Sequence, residues 1–494
     1  MKEKAKNLLS DYFLDVWNID PSNEFEITYV DAKQFLRPER MDLICKLVYI
    51  DSKIKNRNLD YARELYTEHI RAFSNGTFKE PGNKNKNSIE KYFEVFDSLI
   101  ESCQKLPLSA QKSVVPVGAD GNILDGSHRT AIAIYFNLPL PIIKIPDRID
   151  NYNYSFFKRR GMKEEYLDYI AYNYLLWKDN VYIACIWPIA DESNKKAISE
   201  KYICETADIF YKKEIHFNYN GLHNLMVHTY GNQEWAGNAL NAFSGIPNKV
   251  NECYKERKNT TIYILSGSDL ESLVGLKTKI RDLYKISNHS IHITDTKEEA
   301  VYLGRVALNK NSIDLMNYGN PFAFSEFIKK LLIFKKEINK IGYSFDDFII
   351  DSGSILSLYG LRDTNDIDYL TLIDEKLPKS DIYANHIEYN IDKYYTRSLD
   401  ALIYNPNFYM YFLGVKFVSF DCTVEMKRNR NEPKDIDDLK LMKKCVHSKN
   451  IINFYKYLKH PKNYARNLRR KSKLFNKIYS YCGYVKGKIK NIKR

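Results

Sequence analysis

The chain predicts a multidomain fold that combines the α/β and α+β classes, and three observations carry that expectation. At 494 residues it is long enough for about three domains, each with its own core. Three separate stretches, Val114–Ile145, Thr260–Thr294 and Phe348–Leu372, read as strand, turn, helix and strand. Hydrophobic residues at 44% and charged residues at 28% are values of ordinary folded domains, which sets aside disordered and fibrous classes. Pattern changes divide the chain into an amphipathic leader (1–25), a first domain (26–160), an α/β middle domain (161–320), a third domain (321–445) and a basic aromatic tail (446–494).

Composition excludes further classes. No apolar run approaches the length of about 18 residues that spans a membrane, and the N-terminus, MKEKAKNLLSDYFLDVW, has no signal-peptide core, so a cytoplasmic location is expected. Eight cysteines are scattered without any CxxC spacing, against a disulfide framework and against a structural zinc site. A net charge of +13 points to an anionic partner, but residues 446–494 hold 15 Lys and Arg and no acid, so the basicity belongs to the tail. There the basic residues alternate with Phe454, Tyr455, Tyr457, Tyr464, Phe475, Tyr479 and Tyr481. That pattern fits an anionic membrane surface at the inner face of the membrane, with nucleic acid the less favoured partner and a solvated helix the plain alternative.

The leader places Leu8, Leu9, Phe13, Leu14 and Trp17 at helical spacing, and the run FEITYV from Phe25 reads as a strand. Apolar residues recur at helical intervals over Ala32–Ile50 and Ile89–Cys103. From Val114 the chain reads as a strand, an Asp120-Gly121 turn, a second short strand, and a turn that opens a helix at Asp125-Gly126-Ser127-His128-Arg129. A helix N-terminus with unpaired N–H groups favours an anion, and an arginine in its first turn adds donors matched to phosphate. The plain alternative is a helix cap at Asp125 with Arg129 solvated. This stretch resembles the ParB/sulfiredoxin superfamily over about Glu26 to Pro146, through D-G-x-H-R, a small-residue helix and the strand Leu138–Ile145. The resemblance implies nucleotide or phosphate binding at Asp125, Gly126, Ser127, His128 and Arg129, and in some members small-molecule kinase activity. No helix-turn-helix segment follows it, which counts against DNA binding through such a module.

In the middle domain a buried strand is expected at Val181–Ile189, then strand Thr260–Leu265, helix Leu270–Tyr284, strand Ser290–Thr294 and helix Lys297–Leu308. Open α/β sheets bind ligands at strand ends, here Ser266–Asp269 and Asp295–Thr296, although capping is the favoured role of Ser268, Asp269 and Thr296. His216, His223, His228, His289 and His292 match no zinc spacing, and no metal site is expected there.

The third domain opens on an amphipathic helix, Pro321–Lys340, expected to pack behind a sheet. Phe348–Ile350 is a strand ended by Asp351-Ser352-Gly353-Ser354, a helix begins at Ile355 and stops at Gly360, and Asp366 alternates with Asp368 on a second strand. Two carboxylates on one strand face, about 7 Å apart, ask for a cation, and oxygen ligands suit Mg²⁺. Gly353, Ser354, Asp366 and Asp368 resemble the signature of the polymerase β-type nucleotidyltransferase superfamily, from about Phe324 to Cys445. Gly360-Leu361-Arg362 resembles its LicD-like branch, which moves phosphorylated alcohols onto glycans. The resemblance implies a third acid, expected at Asp421 within a strand Lys416–Val424 with Glu425 as fallback, and phosphate contacts from Arg362 and Lys434.

Those parts predict a transferase of phosphorus-containing groups. Asp366, Asp368 and Asp421 would hold Mg²⁺, and the donor would be a nucleoside triphosphate or nucleotide-linked compound. The acceptor would be a small molecule or glycan, in surface-polysaccharide biosynthesis. The alternatives are a small-molecule kinase centred on Arg129 and a nucleotide-gated DNA-binding protein.

Overall fold

A computed structural model describes residues 2–83, 85–105, 108, 114–146 and 148–445; the tail expected over 446–494 lies outside them. The chain divides into two units, Met1–Asn429 and Arg430 onward. In the second, residues 433–445 are helical and Arg430 grips Asp435 through two hydrogen bonds of 2.8 and 2.7 Å. The first unit is mixed α and β, with sheets of two, three, four and five strands. No helix of the described residues is long and apolar enough to cross a membrane.

The leader does not stand apart from the first sheet. Strands β1 (Lys2–Lys4) and β2 (Glu24–Glu26) pair antiparallel, and the helix Asp11–Trp17 between them is capped by Ser10. Phe13 is buried with Val114, Leu124, Ile143 and Ile145, and Leu8, Leu9 and Trp17 pack against them. Strands β3 (Thr28–Asp31), β4 (Val115–Val117) and β5 (Pro139–Lys144) form a sheet in the order β3-β5-β4. The helix Ser127–Phe136 is the crossover that lets β4 and β5 run parallel. The helix Asp42–Lys55 covers it and is buried along most of its length.

Three charges lie inside this layer. Arg40, Asp42 and Lys46 are 3%, 1% and 2% exposed, and Asp42 accepts from Arg40 at 2.8 and 2.9 Å and from Lys46 at 3.0 Å. Burial opposes ionisation of Asp42, but the two cations more than offset it and hold the carboxyl well below its usual range.

The middle sheet has β6 (Tyr182–Ile186), β7 (Asp208–Ile215), β8 (Thr260–Ser266) and β9 (Ile291–Ile293) in the order β7-β8-β6-β9, every pair antiparallel. This is the order of a split β-α-β repeat, and the helices Ser193–Thr206 and Leu270–Tyr284 pack side by side. The strand ends are therefore not those of an open parallel sheet. Their polar turns are caps: Asp269 accepts from Ser272 N, Thr296 accepts from Glu299 N, and Glu299 accepts from Asp295 N at 2.9 Å. Strand β7 has no apolar alternation because it is an edge strand whose Lys213 reaches the buried carboxylate of Asp168 at 2.5 Å.

The third sheet orders β10 (Phe348–Ile350), β11 (Ile367–Thr371), β12 (Tyr383–Asn385), β13 (Tyr409–Phe412) and β14 (Val415–Val418) as β12-β11-β10-β14-β13. The helix Ser325–Ile341 packs on it, with the Phe334 ring 5.1 Å from Tyr369 and 6.3 Å from Phe348. One expectation is corrected. The strand placed over Lys416–Val424 ends at Val418, because the Ser419 hydroxyl accepts from Cys422 N and turns the chain into the helix Phe420–Arg430. Asp421 is thus an exposed residue of a first helical turn, not a strand acid.

Two outcomes follow. Asp42→Ala leaves Arg40 and Lys46 buried and uncompensated, so it lowers stability by about 3–5 kcal/mol, read by calorimetry as a fall in melting temperature. Replacing all three with Met, Leu and Met destabilises less, because no buried charge is left unpaired. The second concerns Lys416 on β14, which is 3% exposed and donates to the carbonyls of Asp346 and Ile403 at 2.8 and 2.9 Å. Burial pushes its pKa down to about 8 from 10.5. The unfolded chain then binds the extra proton between those values, so stability rises as pH climbs from about 8 towards 10.5. Lys416→Met removes that part of the slope, which urea titrations at several pH values would measure.

Candidate functional site

The register of two strands builds the site. In the antiparallel β10–β11 pair Ile350 lies opposite Tyr369, so the next residue, Asp351, faces Asp368, and Asp351 N donates to Asp368 O at 2.9 Å. Strand β12 runs parallel to β11 with Asn385 beside Tyr369, and His386 follows at once. Three neighbouring strands thereby deliver two carboxylates and one imidazole to the same edge.

The side chains interlock. His386 Nε2 lies 2.8 Å from Asp368 Oδ1, and His386 Nδ1 lies 3.1 Å from Asp351 Oδ1. Tyr395 donates its hydroxyl to Asp351 Oδ2 at 3.1 Å. Asp351 is fully buried and Asp368 is 9% exposed. Burial works against a charged imidazole, yet the carboxylates of Asp351 and Asp368 outweigh it and push the His386 pKa up to about 10. Burial raises the Asp368 pKa, opposed by His386 and reinforced by the charges of Asp351 and Asp366. At neutral pH the arrangement is an imidazolium held between two acids.

The turn between β10 and the short helix Gly353–Leu358 is tightly made. Ser352 has φ 54° and ψ −121°, and its hydroxyl lies 3.4 Å from His386 Nδ1. A Cβ on Gly353 would come within 2.6 Å of Thr364 Oγ1, so only glycine lets the 361–366 loop close over the turn. Thr364 in turn donates to Asp366 O at 3.0 Å, and Lys330 donates to Thr364 O at 2.8 Å. Ser354 is fully buried, and its hydroxyl oxygen has no hydrogen-bond partner among the described residues.

One ligand atom from each of Asp351, Asp368 and His386 lies within 4.8 Å of the others, close enough to share one cation. Carboxylate oxygens suit Mg²⁺, and the imidazole would favour Mn²⁺ or Zn²⁺. The donor set fits a divalent ion, which would take the place of the imidazolium charge or recruit the ring as a neutral ligand.

Of the expected residues, Asp368, Gly353 and Ser354 stand at this edge. Asp366 is half-buried just before β11 and acts on Asp368 through its charge. Arg362 is half-buried and donates to Asp363 O at 2.8 Å. Asp421 does not join the grouped donors, Glu425 is ion-paired with Arg397, and Lys434 is exposed in the second unit beside Glu432. Asp351 and His386 were not among the expected site residues. Asp351 carried a signal, an acid directly after a buried apolar strand; His386 carried none, since only the β11–β12 pairing brings it in.

The N-terminal turn is less open than its sequence implies. Gly126 has φ 82° at the cap and Asp125 is exposed. Arg129 is committed to Val114 O at 3.1 Å and to Asp125 at 3.5 Å. His128 is buried with its Nε2 2.7 Å from the Tyr66 hydroxyl, and burial drives its pKa well below the ordinary value. Ser127 is half-buried. His128 therefore points into the core, a correction to its reading as a phosphate contact. No family model, no curated protein and no solved structure matches this chain.

Proposed function

We propose that the chain is a divalent-metal-dependent transferase of a phosphorus-containing group, with a nucleoside triphosphate or nucleotide-linked compound as donor. One observation carries the reading: two buried carboxylates, Asp351 and Asp368, face each other across neighbouring strands with the His386 ring between them, which their charges favour as a cation. Buried like charges are costly unless a positive charge joins them, and phosphoryl transfer is where such a charge is used.

In this reading Asp351 and Asp368 would hold Mg²⁺, which would neutralise charge on a phosphate chain, and Asp366 adds its negative charge beside Asp368. Tyr395 orients Asp351, and His386 keeps the acids together in the metal-free state. Gly353 lets the chain approach a phosphate closely, and the unpartnered Ser354 hydroxyl is a donor in reserve. Arg362 adds positive charge beside the loop. A glycan or other alcohol acceptor follows from the likeness of Gly360-Leu361-Arg362 to the LicD-like branch, and a surface-polysaccharide role with it.

Incubation with each nucleoside triphosphate or CDP-alcohol and Mg²⁺, followed by phosphorus NMR, tests the reading. Asp368→Asn is expected to cut transfer by a factor on the order of 10³ with the circular dichroism spectrum unchanged. Full activity in that variant sinks the proposal; loss confined to Arg129→Ala moves the chemistry to the N-terminal turn. A binding test needs no substrate. His386→Ala leaves two facing acids without their cation and lowers the melting temperature in EDTA, and millimolar Mg²⁺ or Mn²⁺ restores much of the loss. Asp351→Asn/Asp368→Asn protein shows no such response to metal. An equal fall with and without metal would count against a cation site.

A further inference from the structure

A cavity remote in kind from the carboxylate edge lies on the middle sheet. A split β-α-β repeat joins its second and third strands by a short hairpin, but here residues 216–259 intervene between β7 and β8 and carry the helices Tyr219–Tyr230 and Ile246–Cys253. Together with the helix Leu270–Tyr284 and the segment leading into β9, this insert lines an open cleft of 640 Å³. That volume is in the range of small-molecule sites. None of Asp351, Asp368 and His386 lines it.

Its wall carries cations without matching acids. Lys277 is neutralised by Asp295 at 2.5 Å, and Glu299 is spent on the N–H of Asp295. Lys249 and Arg281 have no carboxylate within ion-pair distance among the described residues, and the one other acid of the wall, Glu252, is exposed to solvent. Lys249 donates to Asn288 O at 2.8 Å and to Asn288 Oδ1 at 3.2 Å and lies 3.3 Å from His289 Nδ1, and Glu252 opposes its charge without pairing with it. Arg281 Nε is buried with no hydrogen-bond partner. Burial lowers the Lys249 pKa, and the charge of Arg281 lowers it further. Two cations without an ion-pair partner on one wall repel, and an anion between them relieves both that repulsion and the unpaired Arg281 donor.

Flat rings stand beside them. The Tyr230 ring lies 5.4 Å from Trp235 and 5.0 Å from His292, and Lys249 Nζ lies 5.8 Å from the Tyr230 ring. Trp235 is 48% exposed, so its ring is open to a ligand in the cleft. A second, more apolar lobe of 490 Å³ shares Thr229, His292 and Glu299 with the first. His228 on its wall again has a buried nitrogen, Nε2, without a partner.

We propose that this cavity is a second small-molecule site, for a nucleoside phosphate whose phosphate lies against Lys249 and Arg281 and whose base lies against Tyr230 and Trp235. Phosphate supplies the several acceptor oxygens that a guanidinium and an ammonium together demand, and a base is the flat group an aromatic wall holds. The site is independent of transfer at the carboxylate edge.

Binding of ADP and UDP to the full chain in EDTA, read by calorimetry and by Trp fluorescence, tests it. Lys249→Gln/Arg281→Gln is expected to weaken both by roughly a hundredfold, about tenfold for each charge removed. Trp235→Leu, at an exposed position that leaves the fold intact, weakens them about tenfold while inorganic phosphate binds as before. Asp368→Asn leaves ADP affinity unchanged. The proposal fails if neither nucleotide binds, if the double variant binds as the parent does, or if Asp368→Asn alone abolishes binding.

Discussion

The antiparallel register of β10 and β11 is the constraint from which the five-stranded sheet and its polar edge take their form. Ile350 opposite Tyr369 makes Asp351 and Asp368 neighbours on one edge. At an effective dielectric of about 20, two like charges some 5 Å apart cost about 3 kcal/mol, before the desolvation of a fully buried Asp351 is added. The neighbouring structure answers that cost. His386 arrives through β12 to sit between the acids, Tyr395 donates to the far oxygen of Asp351, and Ser352 takes a left-handed backbone conformation so that the chain turns away without displacing either acid. Gly353 lets Thr364 close the loop on the other side. Each of these residues is explained by the same electrostatic problem.

Much of the framework was legible in the sequence because it is written in periodicity. The apolar runs of β6, β8 and β10, the helix at Leu270–Tyr284 and the caps at Asp269 and Thr296 all lie where alternation and capping chemistry place them. Edge and pairing information is not written locally. Strand β7 was hidden by Lys212, Lys213 and Glu214, whose charges are tolerated because Lys213 finds Asp168. Asp421 was misplaced because one hydroxyl, that of Ser419, converts a strand into a helix within a single residue. His386 stands 18 residues beyond Asp368 and joins it only through a parallel pairing that no spacing rule foretells.

The N-terminal turn shows the reverse error. The run Asp125–Arg129 has the composition of an anion site, yet the fold turns His128 inward against Tyr66 and Phe96 and ties Arg129 to Val114 O. Residue type at a helix start was readable; side-chain direction was decided by the helices packed over it, which belong to a different part of the sequence.

One rule sorts the charged groups across the first unit. A buried charge is tolerated where the fold supplies its opposite. Asp42 has Arg40 and Lys46, and Lys213 has Asp168. Stability alone accounts for those groups, since each would be costly to leave unmatched. The imidazolium of His386 satisfies the rule only by using a group that a metal ion could replace, buried Lys416 is met by carbonyl oxygens, and the part-buried Arg281 and Lys249 have no ion-pair partner among the described residues. The difference matters because hydrophobic residues would serve stability at least as well as an unmatched cation in the middle cavity. An anion from solution, as proposed for that cleft, would give the Arg281 guanidinium the partner that the fold does not, and the same reasoning separates a charge kept for folding from one available for binding.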